Sequence, residues 1–103
     1  MKVTLPFTDD MAQATIEGRK TCTTRPKRYG SIGDVFRVEN GFRFETLIFN
    51  DMKHITLQQV AADYYREEGF DSPQGFIDKW CQLHPRSKWV PNQLVWTHFY
   101  EKE

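Results

Sequence analysis

The sequence predicts an α+β fold, a small β-barrel with helices packed on the outside. Three observations carry this. Strand-like and helix-like segments are mixed without regular alternation, which argues against a doubly wound parallel sheet. Asn40-Gly41, the strongest hairpin signal in the chain, joins two strand-like runs. The second run, residues 42–54, changes its hydrophobic phase: Phe42 and Phe44 alternate in one register, Leu47 and Phe49 in the other. Such a change fits a bulge, or a segment covered on both faces, and both suit a strongly curved sheet. With 103 residues there is room for one domain, residues 1–103, and no second.

The elements follow in order. Residues 2–5 read as a short opening strand. Thr8 is placed to cap a helix, and Asp9 and Asp10 complement its positive end. Met11, Ala12, Thr15 and Ile16 form its buried stripe, and Gly18 ends it. Residues 21–24 are β-prone, and Pro26 stops that strand. Residues 29–33 are a loop, after which Val35, Phe36 and Val38 make the next strand up to the hairpin. Thr56 followed by Gln59 is a capping box. The helix it opens carries Leu57, Val60, Ala61 and Tyr64 on one face. Ser72-Pro73 opens another helix, with serine as the cap and proline at the first helical position. Phe76, Ile77, Trp80 and Leu83 face the core there, and Pro85 stops it. Residues 89–91 are a loop, and residues 94–100 are the final strand.

Formal net charge is zero, so no global basic field attracts nucleic acid. The local picture differs. No acidic residue lies between Gly18 and Gly33, while Arg19, Lys20, Arg25, Lys27 and Arg28 are all basic. A basic loop on a neutral protein suits one phosphate or one nucleotide better than a long duplex. Three Trp, four Tyr and eight Phe serve mainly to fill a core, and aromatics also stack on bases. Cys22 and Cys81 have no short spacing, and there is no leader pattern or apolar run of membrane length. The expectation is a cytoplasmic protein with free thiols. His54, His84 and His98 are scattered, and the spacing suggests no metal site.

Glu68 stands out on the pattern alone. On a helix running from Leu57 it lies three turns on, above Leu57 and Tyr64, whereas Glu67 turns toward the polar side. A carboxylate on the apolar stripe needs a partner or a proton. Lys20, just past a helix end and at the mouth of a strand, is the candidate partner. A lysine there acts as a base when desolvated near other cations, or as a charged stabiliser of an oxyanion beside a carboxylate. As a residue at a strand mouth it is expected to be exposed, so that Lys20→Ala leaves the fold intact. A threonine hydroxyl becomes a nucleophile when a base takes its proton. Thr23 is one choice; Thr21 and Thr24 are rivals, and only Thr24 shares strand parity with Lys20. No base adjoins Cys22 in sequence, so it reads as packing.

Gly18, Lys20, Thr23 and Arg25, followed by Gly33-Asp34, fall in the order Gly-x-Lys, hydroxyl or acid, Arg, Gly-Asp. In this the chain resembles the ASCH domains, which are small PUA-like barrels, and the resemblance runs over the whole chain. It implies an association with RNA or nucleosides. Some small bacterial members are amidohydrolases that convert 4-acetylcytidine to cytidine and acetate without a metal or organic cofactor, using a Lys, a Thr and a Glu. Matched one by one, these are Lys20, Thr23 and Glu68, with Glu67 adjoining the last. Arg19, Arg25 and Tyr29 are then the substrate-binding candidates. The implied partner is a modified nucleoside or single-stranded RNA. The competing readings are a non-catalytic RNA-binding module and a ribonuclease. The aromatic segment 80–96 is an addition that the smallest members lack.

Overall fold

The computed structural model describes residues 3–103. Its elements are α1 (Asp9–Ile16), β1 (Cys22–Arg25), β2 (Val35–Asn40), β3 (Arg43–Thr56), α2 (Leu57–Asp63), α3 (Pro73–Leu83) and β4 (Leu94–Lys102). The strands form one antiparallel sheet in the order β1-β4-β3-β2, curled into a half-barrel. Lys2 lies outside the described residues. Residues 3–5 form no strand; they make one backbone bond to the sheet, from the Val3 N–H to the Val35 carbonyl.

Each face of the sheet has its own core. Leu5, Ala12, Ile16, Phe36, Val38, Leu47, Phe49 and Tyr100 pack inside the curl, closed by α1. Leu57, Val60, Ala61, Phe76, Trp80 and Val95 pack under α2 and α3 on the other side. A β-bulge reconciles the two. Phe49 pairs with Tyr100 and Asp51 with Phe99, so Asn50 is an extra residue on β3. The extra residue inverts the alternation. Met52, rather than Asp51, then follows Phe49 into the inner core, and Ile55 joins the outer one. The bulge lies further along than the phase change in the sequence. Pairing of β2 with β3 is unbroken from Val35–Ile48 to Asn40–Arg43. Phe42 and Phe44 are simply exposed at the hairpin end, and the Arg37 guanidinium sits 3.9 Å over the Phe44 ring.

The helix ends mostly obey the local signals. Gly18 adopts a positive φ of 83°, the conformation that a glycine supplies after a helix. Thr56 and Gln59 make both bonds of the capping box, and Ser72 caps α3 with proline following. Thr8 does not cap α1: its hydroxyl donates to the Asp10 carboxylate at 2.6 Å, because a bond to an ion is stronger than one to a neutral amide. Leu83, expected in the core, is about half exposed (49%) in the last turn of α3.

His98 on β4 is fully buried and ties the 29–33 loop to β1. Its Nε2 accepts from the Tyr29 N–H at 2.9 Å, and its Nδ1 lies 3.1 Å from the Thr23 carbonyl. An amide only donates and a carbonyl only accepts, so the ring is the neutral Nδ1–H tautomer. Burial holds its pKa below the ordinary 6.5, with the Arg25 charge adding to this and the Thr23 carbonyl opposing it. The unfolded chain therefore binds a proton that the folded chain refuses. Stability is complete above pH 6.5 and falls as pH drops below it. Thermal melts should show a Tm that declines as pH falls below 6.5, with a shallower slope in His98→Asn. Equal slopes for the two proteins would show that His98 titrates alike in both states.

Candidate functional site

Three chain segments meet at Lys20. The turn that ends α1 carries the Arg19 and Lys20 N–H groups onto the Ala14 carbonyl, at 2.9 and 3.1 Å. The Thr21 and Cys22 N–H groups, at the start of β1, both bond the Glu67 carbonyl. The segment that supplies it is not helix. α2 ends at Asp63, and residues 64–69 form turns, held by bonds from the Glu68 N–H to the Tyr64 carbonyl and from the Gly69 N–H to the Arg66 carbonyl. The expected helical position of Glu68 is thus corrected, although its side chain does point inward. Gly69 makes the approach possible. Its φ is +97°, and a Cβ there would lie 3.3 Å from the Lys20 Cβ.

Lys20 and Glu68 are a buried ion pair, each 3% exposed at the side chain. The Lys20 ammonium donates to Glu68 Oε1 at 2.8 Å and to the Glu68 carbonyl at 3.2 Å. Glu68 Oε2 accepts from the Thr24 hydroxyl at 2.5 Å and from the Cys22 thiol at 3.6 Å. Thr24 is also 2.9 Å from the Thr97 hydroxyl. Lys20 is therefore not the exposed lysine that a strand mouth suggests. Its neighbour Cys22 is no nucleophile: burial, and then the Glu68 charge, push the thiol pKa well above its ordinary value.

Strand alternation sorts the threonines. Cys22 and Thr24 turn to the Glu68 side of β1. Thr23 and Arg25 turn to the other side, where the Thr23 hydroxyl accepts from Arg25 Nε at 3.3 Å. Both faces reach one cleft because β1 is an edge strand. The cleft has a volume of about 350 Å³, and Lys20, Thr23, Thr24, Arg25 and Glu68 form its polar floor. Phe76 and Trp80 of α3, with His84 just past its end, form part of the facing wall. The Trp80 and His84 rings stack at 3.9 Å. His84 Nδ1 is 3.0 Å from the Trp80 carbonyl, and since a carbonyl can only accept, Nδ1 carries a proton. An ion pair between Lys79 of α3 and Asp10 of α1, 2.9 Å long, joins the two helices beside the cleft.

Four of the six sequence candidates (Lys20, Thr23, Arg25 and Glu68) thus line one cleft. The other two do not. Arg19 is exposed, bonds Glu17 and borders a separate shallow depression. Tyr29 packs against the inner core. Glu67 is half-buried rather than turned to solvent, and its Oε2 has no hydrogen-bond partner among the described residues. Trp80 and His84 were missed as site residues. The i, i+4 spacing was available, but a Trp on an apolar helical stripe reads first as core.

The pair should behave as one energetic unit. Lys20→Met and Glu68→Gln should each destabilise by about 3–5 kcal/mol, since each strands a buried partner. The double variant should recover about 1–3 kcal/mol of the summed loss. Urea unfolding of the four proteins checks this; strictly additive losses would mean the two groups are not coupled.

No family model matches the chain, and no curated protein matches it in sequence. Solved structures match it in fold. The ASCH domain from Lactobacillus crispatus has a TM-score of 0.70 at 13% identity, covering 98% of this chain and 79% of that one. The ASCH protein from Zymomonas mobilis has a TM-score of 0.71 at 12% identity, covering 98% and 67%. A hypothetical protein matches over 100% of both chains, with a TM-score of 0.75 at 13% identity. The overall fold is thus shared across chains of very different sequence: the protein has the ASCH-domain fold, here a small α+β half-barrel.

Proposed function

We propose that the protein is a nucleoside-related amidohydrolase that removes the acetyl group of 4-acetylcytidine, giving cytidine and acetate. The observation that supports this reading is the buried Lys20–Glu68–Thr24 cluster on the floor of a cleft with an aromatic wall. The ASCH-domain fold and the sequence resemblance point the same way.

On this reading the roles divide between Glu68, Thr24 and Lys20. Glu68 Oε2 already holds the Thr24 proton in a hydrogen bond, so Thr24 is the hydroxyl it can deprotonate; Thr23 is engaged by Arg25 instead. Thr24 Oγ attacks the acetyl carbonyl, and its proton passes to Glu68. Lys20 has spent two donors on Glu68, and its third meets the developing oxyanion. A preorganised donor of this kind contributes about 100- to 1,000-fold. Glu68 then gives its proton to the departing amine of cytosine. Water, deprotonated by Glu68, releases acetate from Thr24 and returns that hydroxyl its proton. General acid–base work of this kind contributes about 100- to 10,000-fold.

The test is incubation with 4-acetylcytidine, and in parallel with single-stranded RNA, followed by chromatography. Free cytidine is expected. Thr24→Ala and Glu68→Gln should each lower the rate by about 100-fold or more, assayed where circular dichroism shows them folded, while Thr23→Ala should retain most of it. No cytidine from the parent protein would overturn the reading, and bound or shortened RNA would put a binding module or a ribonuclease in its place. A dead Thr23→Ala beside an active Thr24→Ala would exchange their roles.

A further inference from the structure

The charges that line the cleft do not balance. Lys20 is neutralised by Glu68 at 2.8 Å, and Lys79 by Asp10 at 2.9 Å. Arg25 has no carboxylate partner among the described residues. Its Nε donates to the Thr23 hydroxyl and its Nη2 to the Pro6 carbonyl at 2.7 Å. A guanidinium has five N–H donors, so three remain. The group is half-buried, and its carbon lies 5.3 Å from the Phe7 ring centre and 6.0 Å from that of Tyr29. Aromatic rings hold a guanidinium in place without discharging it. A partly desolvated cation that is oriented and uncompensated favours an anion, and the guanidinium fork matches a phosphate or carboxylate.

We infer that Arg25 is an anion-binding subsite of this cleft, and that the ligand carries a phosphate: an acylated nucleotide rather than a free nucleoside. The ligand class rests on the hydrolase reading; the subsite does not. Arg25 leaves β1 on the face opposite Thr24 and Glu68, toward Pro6 and Phe7. The anion it takes therefore lies across β1 from the Thr24 hydroxyl, which favours a phosphate carried by the substrate over the acetate released at Thr24. The phosphate belongs to a mononucleotide or to the end of an RNA chain.

Calorimetric binding to the full chain tests this with compounds that are not hydrolysed: cytidine, cytidine 5′-monophosphate, inorganic phosphate and a 5′-phosphorylated trinucleotide. The monophosphate should bind about tenfold or more tighter than cytidine, and added salt should erase the difference. Arg25→Met should abolish the preference, and Arg25→Lys should retain part of it. Equal affinity for cytidine and its monophosphate in the unaltered protein overturns the subsite without reference to any variant, as does a preference that survives in folded Arg25→Met. A tighter trinucleotide assigns the phosphate to an RNA end, and an equal one to a free nucleotide; both uphold the subsite. If 4-acetylcytidine is not hydrolysed but the Arg25-dependent preference is present, the hydrolase reading falls and the subsite stands. If it is hydrolysed as fast as its monophosphate and binding shows no preference, the subsite falls alone.

Discussion

An ammonium and a carboxylate withdrawn from water must find each other, and in this protein Lys20 and Glu68 do so from positions 48 residues apart. Desolvating two such groups costs several kcal/mol each, and only close geometry with further hydrogen bonds offsets it. The fold supplies both. The turn after α1, the first residues of β1 and the 64–69 turn are locked together by backbone bonds around the pair. Thr24 and Cys22 donate to the second carboxylate oxygen, and the Glu68 carbonyl takes a second ammonium proton. A polar cluster satisfied to this degree admits few alternative packings, so it fixes where β1 sits as much as the hydrophobic cores do.

The pair also organises the cleft. Being at the sheet edge, β1 offers both of its faces to the same cavity. One face delivers a hydroxyl to the carboxylate, and the other holds Arg25 between two aromatic rings. Neighbouring threonines are thereby given different environments. α3 closes the opposite side. Its Trp80 belongs both to the outer core and to the cleft wall, so the start of the aromatic segment 80–96 is part of the cavity. The same burial that makes Glu68 an acceptor for Thr24 keeps the Cys22 thiol protonated beside it.

Much of the fold was legible locally because its signals act over three or four residues. The capping box at Thr56, the serine–proline start of α3, the glycine after α1 and the Asn40-Gly41 hairpin each depend on backbone geometry that neighbouring side chains dictate. Thr8 failed as a cap for an equally local reason, since Asp10 competes for its hydroxyl. The bulge was legible as a need but not as a place. Phe42 and Phe44 mimic a phase change, and only the pairing of β3 with β4 shows that Asn50 is the extra residue.

At the site, the sequence by itself determined which residue types could meet: a lysine at a helix exit, threonines on a short strand, an arginine among basic neighbours and a glutamate near an apolar stripe. Strand parity even associated Thr24 with Lys20. The tertiary structure decided the rest. Glu68 reaches the interior from a turn and not from a helix, Lys20 is buried and not exposed, and Tyr29 belongs to the core. Each outcome depends on a contact across more than forty residues: Lys20 with Glu68, Gly69 against Lys20, and His98 with the Tyr29 amide. Local pattern reports the backbone's preferences, whereas the burial of a charge is set by whichever distant segment arrives to neutralise it.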